Sequence, residues 1–159
     1  MIEDDDKVLP IRPPEVIAEV GGVVDESGVT LAVYGADLDP EHVTQLLGVE
    51  PTESFHRGFQ KGPRSPPLPH GAWFLQVRGE APNGPGVQLG KLMMRLPNSP
   101  EVWAELRSAY RVQFRVGIHM EGWNRGFELN PDVIARVAAT GIGMTFDIYA
   151  YGEENAEDP

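Results

Sequence analysis

Three times in this chain a capping side chain is followed by proline and then by an acid: Asp39-Pro40-Glu41, Ser99-Pro100-Glu101 and Asn130-Pro131-Asp132. Each part of the triplet suits a helix start. The first side chain accepts from amides that have no partner inside the helix. Proline at the first helical position lacks only a donor that was unused there, and the acid complements the positive end of the helix dipole. Apolar residues follow each triplet at helical spacing: Val43, Leu46 and Leu47; Trp103, Leu106 and Tyr110; Val133, Ile134 and Val137. Gly48 and Gly141 stand where a left-handed residue would close the first and third of these helices. Each of these short amphipathic helices needs an apolar surface to lie on.

Alternating segments supply that surface. Val29–Gly35 sets Val29, Leu31 and Val33 on one face, and Trp73–Arg78 sets Trp73, Leu75 and Val77 likewise. Arg111–His119 turns Val112, Phe114, Val116 and Ile118 inward, and Met144–Tyr151 is expected to do the same with Met144, Phe146, Ile148 and Ala150. Weaker strands are expected within Glu53–Gln60 and Arg125–Leu129. A further helix is expected over Val87–Leu96, with Leu89, Leu92, Met93 and Leu96 at its apolar face and Pro97 at its end. Gln60–Gly71 and Ala81–Gly86, rich in Gly and Pro, read as loops.

This order predicts an α+β fold: one mixed, mostly antiparallel sheet with helices packed on one face. Leu38-Asp39-Pro40-Glu41 and Leu129-Asn130-Pro131-Asp132 echo each other. Two ferredoxin-like β-α halves would produce that echo, and so would repeated use of one good helix start. Residues 1–28 read as an N-terminal acidic arm, 29–152 as a single α+β domain and 153–159 as an acidic C-terminal tail. Within the arm, Glu15–Val20 suits a short helix or strand.

With 159 residues and 41% hydrophobic content, the chain is long enough for one core and too apolar to be disordered throughout. No run approaches the roughly 20 apolar residues of a membrane helix, so no membrane partner is expected. No basic-then-apolar leader is readable, so no secretory signal is expected. The absence of cysteine excludes disulfides and thiolate chemistry.

The formal charge of -11 is uneven. Residues 1–7 carry -3 and residues 153–159 carry -4, which reads as solvated ends that favour solubility. From Ser54 to Pro100 the one acid, Glu80, stands against six bases, and Leu106–Met120 holds Arg107, Arg111 and Arg115 with no acid. Such local basic segments suit an anion site. Duplex binding needs a broad basic surface, so no nucleic acid partner is expected.

If the alternating apolar residues face the helices, the opposite sheet face receives Thr30, Tyr34, Gln76 and Arg78 from the first two strands. From the last two it receives Arg111, Gln113, Arg115, His119, Asp147 and Tyr149. Arg and Tyr are favoured at binding hot spots, so this face is a candidate surface for a protein partner. The plain alternative is a solvated face with cross-strand ion pairs such as Arg115 with Asp147.

The segment His56–Arg64 is the most site-like loop: Arg57, Lys61 and Arg64 surround glycines that would let an anion approach backbone amides. It lacks the phosphate-loop pattern, and a plain surface loop explains it too. The four histidines, His42, His56, His70 and His119, show no metal spacing. A site built from His56, His70 and Asp147 has no motif behind it, and no metal or other cofactor is expected. His119 with Asp147 would make an acid–base pair, but no nucleophile motif accompanies it, so no catalytic residue is assigned. Trp123, in a turn, is a partner anchor if exposed and core if buried; Trp73 and Trp103 fall on apolar stripes.

The run from Leu31 to Thr52, with Tyr34-Gly35-Ala36-Asp37-Leu38-Asp39-Pro40-Glu41 at its centre, resembles the family called domain of unknown function 4279. Arg57-Gly58, Lys61-Gly62, Trp73 and Phe146-Asp147-Ile148-Tyr149 extend the resemblance over about residues 29–151. It implies a small cytoplasmic bacterial protein without a cofactor, and it implies no established activity. An association of such proteins with toxin-neutralising immunity orders the hypotheses. First stands a non-enzymatic protein-binding module, of immunity type, using the sheet face or the 56–64 loop. Second stands a binder of small phosphate or carboxylate anions, and third an unrecognised hydrolase.

Overall fold

A computed structural model describes residues 22–122 and 124–150. The expected helix at Glu41 is α1, Pro40–Leu47; those at Glu101 and Asp132 are α3, Pro100–Ala109, and α4, Pro131–Thr140. All three capping side chains are engaged. Asp39 accepts from the amide of Glu41, Ser99 from that of Val102 and Asn130 from that of Val133. Gly48 and Gly141 close α1 and α4 at φ 68° and 67°, in the left-handed region. The remaining helix, α2, Pro85–Arg95, also begins with proline, but its cap is Gly84, which offers no side-chain acceptor.

Five strands form the main sheet: β2 (Glu26–Gly35), β3 (Glu53–Phe55), β4 (Gly71–Glu80), β5 (Arg111–Met120) and β7 (Met144–Ala150). Their order is β3-β4-β2-β5-β7. All neighbours are antiparallel except β5 and β7, which α4 joins as a parallel crossover. That crossover joins two neighbouring strands. The first half makes a wider step of the same kind: after α1 the chain returns as β3, antiparallel to β4 and so parallel to β2, with β4 lying between them. The two Leu-cap-Pro-acid runs thus each open the helix of a parallel β-α-β crossover, one split by β4 and one between neighbouring strands.

The weaker strand at Arg125 does not join the main sheet. Gly22–Val23 (β1) and Arg125–Gly126 (β6) pair in a separate parallel ladder. Asp25 fastens it, accepting from the amide of Glu121 at 2.8 Å and from Arg125 Nε at 3.2 Å. Strand β2 begins at Glu26, three residues before the expected Val29. The expected run Glu15–Val20, Trp123 and the acidic tail lie outside the described residues.

The core lies between the sheet and the helices. Val29, Leu31 and Val33 of β2, Trp73 and Leu75 of β4, and Phe114, Val116 and Ile118 of β5 are buried there. Against them pack Leu89 and Leu92 of α2, Trp103 and Leu106 of α3, and Val43 of α1. The expectation for the last strand is corrected. Phe146 and Ile148 share the core-side face with Val116 and Ile118, yet they are 41% and 59% exposed, and Ala150 is exposed too. Among the described residues β7 is an edge strand. The helices pack toward the middle of the sheet and do not cover the far part of this edge.

Candidate functional site

The helices lie on one side of the sheet, no helix among the described residues covers the other face, and the strand registers set what that face presents. Thr30 lies between Gln76 and Arg115, Tyr34 opposite Arg111, and Glu26 between Glu80 and His119. On the far side of β5, Arg115 faces Thr145, Gly117 faces Asp147 and His119 faces Tyr149. Every residue that the period of two assigns to the polar face stands on this one surface.

Its centre is a pair of cross-strand contacts. Arg115 Nη2 approaches Asp147 Oδ2 at 3.6 Å, and Arg115 Nη1 donates to the Tyr34 hydroxyl at 3.4 Å. The Tyr34 hydroxyl and then Asp147 hold the Arg115 guanidinium above its ordinary value, against a smaller loss from burial. Tyr34 is fixed in turn by edge contacts with His70 and Phe74, at ring separations of 5.7 and 5.5 Å. At the other end, the His119 and Tyr149 rings stack at 4.9 Å and 12°.

Two contiguous clefts run over this face and share Arg115 and Asp147. One, about 630 Å³, reaches from Thr30 and Gln76 past Arg78 to Glu26, His119 and Glu121. The other, about 700 Å³, reaches toward Tyr34, His70, Gln113 and Arg111. The first is deepened by two glycines, Gly28 and Gly117, which are register partners and leave no side chain between Arg78 and Asp147. Among the described residues, neither Arg78 nor Arg111 makes an ion pair or side-chain hydrogen bond.

The arginine-rich description from sequence is one-sided. Glu26, assigned to the arm, lines the first cleft, as do Asp25 and Glu121. That cleft therefore has four carboxylates against two arginines. Glu26 was legible only if the alternation was carried back from Val29 through Gly28, a position with no apolar signal.

The 56–64 loop does not gather its cations. Arg57 pairs with Asp37 at 3.6 Å and Lys61 sits 5.2 Å over the Phe55 ring, while Arg64 is exposed. The amides of Gly58 and Phe59 donate to the carbonyls of Leu68 and His56. These are not available to an anion without breaking the loop's own bonds.

His56 pairs with Glu41 at 3.3 Å, whereas His70 and Asp147 line the second cleft, so these three are not brought together. Among the described residues, the set of close ligand atoms is instead Asp39, Glu41 and His56, all exposed and within 4.8 Å of one another. Asp39 already caps α1, and Glu41 already pairs with His56. His119 and Asp147 do line one cleft, but Asp147 is paired with Arg115 and the His119 ring lies flat on Tyr149.

Fold and face together define a class: an α+β protein whose mixed sheet carries helices on one side and an open, charged, glycine-floored face on the other. Within that class the chain belongs to the family domain of unknown function 4279, whose model matches residues 25–151. No curated protein and no solved structure matches it. No helix among the described residues is long and apolar enough to cross a membrane.

Proposed function

We propose that the chain is a non-enzymatic binding module that presents the open face of its sheet to a protein partner. One observation carries this reading. The helices lie on the other side of the sheet, and this face is furnished with arginines, tyrosines and histidines, including two arginines, Arg78 and Arg111, that make no ion pair among the described residues. A face kept only for solubility gains nothing from the depression at Gly28 and Gly117. Glycines cost strand stability, and close approach of a ligand or another backbone is one of the uses that offset the cost. The reading extends to an immunity-type role, in which the face occludes a partner's own site by complementary shape and charge.

The test compares the wild-type chain, a sheet-face variant (Arg111→Ala, Arg115→Ala, Tyr149→Ala) and a helix-face control, Met94→Ala, as baits in host lysate at moderate salt. Circular dichroism first establishes that all three fold. A stoichiometric partner held by wild type and control but lost by the sheet-face variant is the expected result. A partner held equally by all three, or none held by any, overturns the reading.

A second reading, a small-anion binder, moves from the 56–64 loop to the Arg111 end of the face, where Arg111 and Arg115 stand in one cleft with a single carboxylate. It predicts that phosphate or a dicarboxylate raises the melting temperature of wild type and not of Arg111→Ala.

A further inference from the structure

The open face is electrically divided along its length. At one end Glu26 and Glu80 are direct register partners and Glu121 lies just beyond, so three carboxylates stand against the single Arg78 of the next row. Like charges opposite each other across a ladder are unfavourable. Among the described residues none of these three carboxylates has an ion-pair partner; the nearby Asp25 is committed to Arg125. In the middle, Arg115 and Asp147 neutralise each other. At the other end stands Arg111, beside Gln113, Tyr34 and His70. From the row of Glu26 to the row of Tyr34 and Arg111 the strand runs eight residues, about 26 Å at the usual rise of a strand.

The relief of the face follows the same direction. The central strands contribute Gly28 and Gly117, whereas the flanking strands raise Gln76 and Arg78 on one side and Asp147 and Tyr149 on the other. The result is a shallow trough floored at Gly28 and Gly117 and bordered by the Arg115 side chain, between negative and positive ends of the face set too far apart for one small molecule to bridge.

Resting on the open-face reading above, we infer that this trough takes an extended peptide segment of the partner, dipolar in charge. A basic side chain would meet Glu26 and Glu121 and an acidic group would meet Arg111. An extended segment of about eight residues spans the required distance. A nucleic acid strand would carry phosphates to the three carboxylates and be repelled there. Charge complementarity at both ends would fix the direction of the segment as well as its affinity.

The test uses four labelled ten-residue peptides with blocked ends and one shared Ser/Thr/Val centre. One has Lys-Lys at its start and Glu-Glu at its end; the others have Lys-Lys at both ends, Glu-Glu at both ends, or Ser-Ser at both ends. Fluorescence anisotropy is measured at low and high salt. The dipolar peptide is expected to bind at least about tenfold more tightly than each of the others, and to lose that advantage at high salt. Arg111→Glu should move the preference to the Lys/Lys peptide, and a Glu26→Lys, Glu121→Lys pair should move it to the Glu/Glu peptide. Equal binding of all four, no binding of the dipolar one, or unchanged preferences in folded charge-swap variants would each overturn the inference. Loss of a captured partner in the sheet-face variant, together with failure of the peptides, leaves the open-face reading standing and removes only the dipolar segment.

Discussion

Gly28 and Gly117 face each other across the β2–β5 ladder, between the arms of Arg78 and Asp147. A Cβ on Gly117 would come no closer to any atom than 4.0 Å, the distance to the Gly28 carbonyl oxygen. No packing need keeps a side chain away. Replacing Gly117 with Ala is therefore expected to stabilise the fold by about 0.5–1 kcal/mol, the usual penalty of glycine in a strand interior. Gly117→Leu would fill the trough as well and is expected to weaken partner or peptide binding. Denaturant titration and anisotropy on the two variants check both halves.

Gly86, in the first turn of α2, is the opposite case. A Cβ there would overlap the carbonyl oxygen of Glu128, a backbone atom on the segment leading into α4. Backbone cannot rotate away as a side chain does. Gly86→Ala is expected to cost about 1–3 kcal/mol, the range for forced overpacking, despite alanine's better helix propensity. A fall in the denaturation midpoint at unchanged slope is the result to look for.

Gln88 is 1% exposed on the core side of α2. Its carboxamide accepts from Ser27 Oγ at 3.1 Å and donates to the carbonyls of Gly79 and Asn83 at 3.3 and 2.9 Å. It thereby joins the helix to the ends of both β2 and β4. Gln88→Leu fits the volume but leaves a buried hydroxyl and two carbonyls without that partner. The expected cost is about 1–3 kcal/mol, and a Ser27→Ala, Gln88→Leu double variant should recover part of it, which a double-mutant cycle measures.

The open edge of β7 behaves differently from the core it borders. Phe146 stacks on Phe127 at 6.2 Å, and Ile148 stands 59% exposed. Ile148→Thr keeps a β-branched residue on the strand, so its cost in stability is expected to stay within about 0.5 kcal/mol. Its self-association at high concentration should fall, because the variant removes apolar surface beside a strand edge that no described residue pairs with. Light scattering across a concentration series compares it with wild type.

What the sequence made legible follows from which forces are local. Caps, prolines and closing glycines act within four residues, so α1, α3 and α4 could be placed from their starts. The period of two put the alternating residues from Val29 on in β2, and those of β4, β5 and β7, on their correct sides, including the polar face. Coverage is not local: whether a helix lies over Phe146 depends on where α4 lands, and no residue of β7 encodes that. Pairing is not local either. The Arg115–Asp147 contact required β5 and β7 to be parallel neighbours, and the two-residue ladder of β1 and β6 has no periodic signal. Gln88 sat unnoticed within an apolar stripe because its partners come from β2 and the end of β4. Glu26 was missed for a related reason. Gly28 broke the alternation that would have carried the strand back to it, and with it went the acidic end of the face.

Asp25 ties the small ladder to the main sheet, and its titration gives the tie a pH signature. The amide of Glu121, then the charge and hydrogen bond of Arg125, hold its carboxyl below the ordinary value of 3.8 against the opposing effect of desolvation. A depressed folded pKa means that the stabilisation is fully present above the unfolded pKa. It is lost as pH falls through the folded value. Asp25→Asn, which cannot carry the charge, is therefore expected to melt below wild type by a constant margin between about pH 7 and pH 5. That margin should close below about pH 4, as wild-type Asp25 takes up its proton. Asp39 and Glu101 are also held low, so the variant keeps part of the acid-induced loss of stability and the margin, not the limb itself, is what disappears. Added salt at pH 7 should narrow the same margin by weakening the Asp25–Arg125 attraction while leaving the Glu121 amide bond in place. A margin that persists unchanged at acid pH would mean that the Asp25 carboxylate charge contributes nothing and that only its shape holds the ladder.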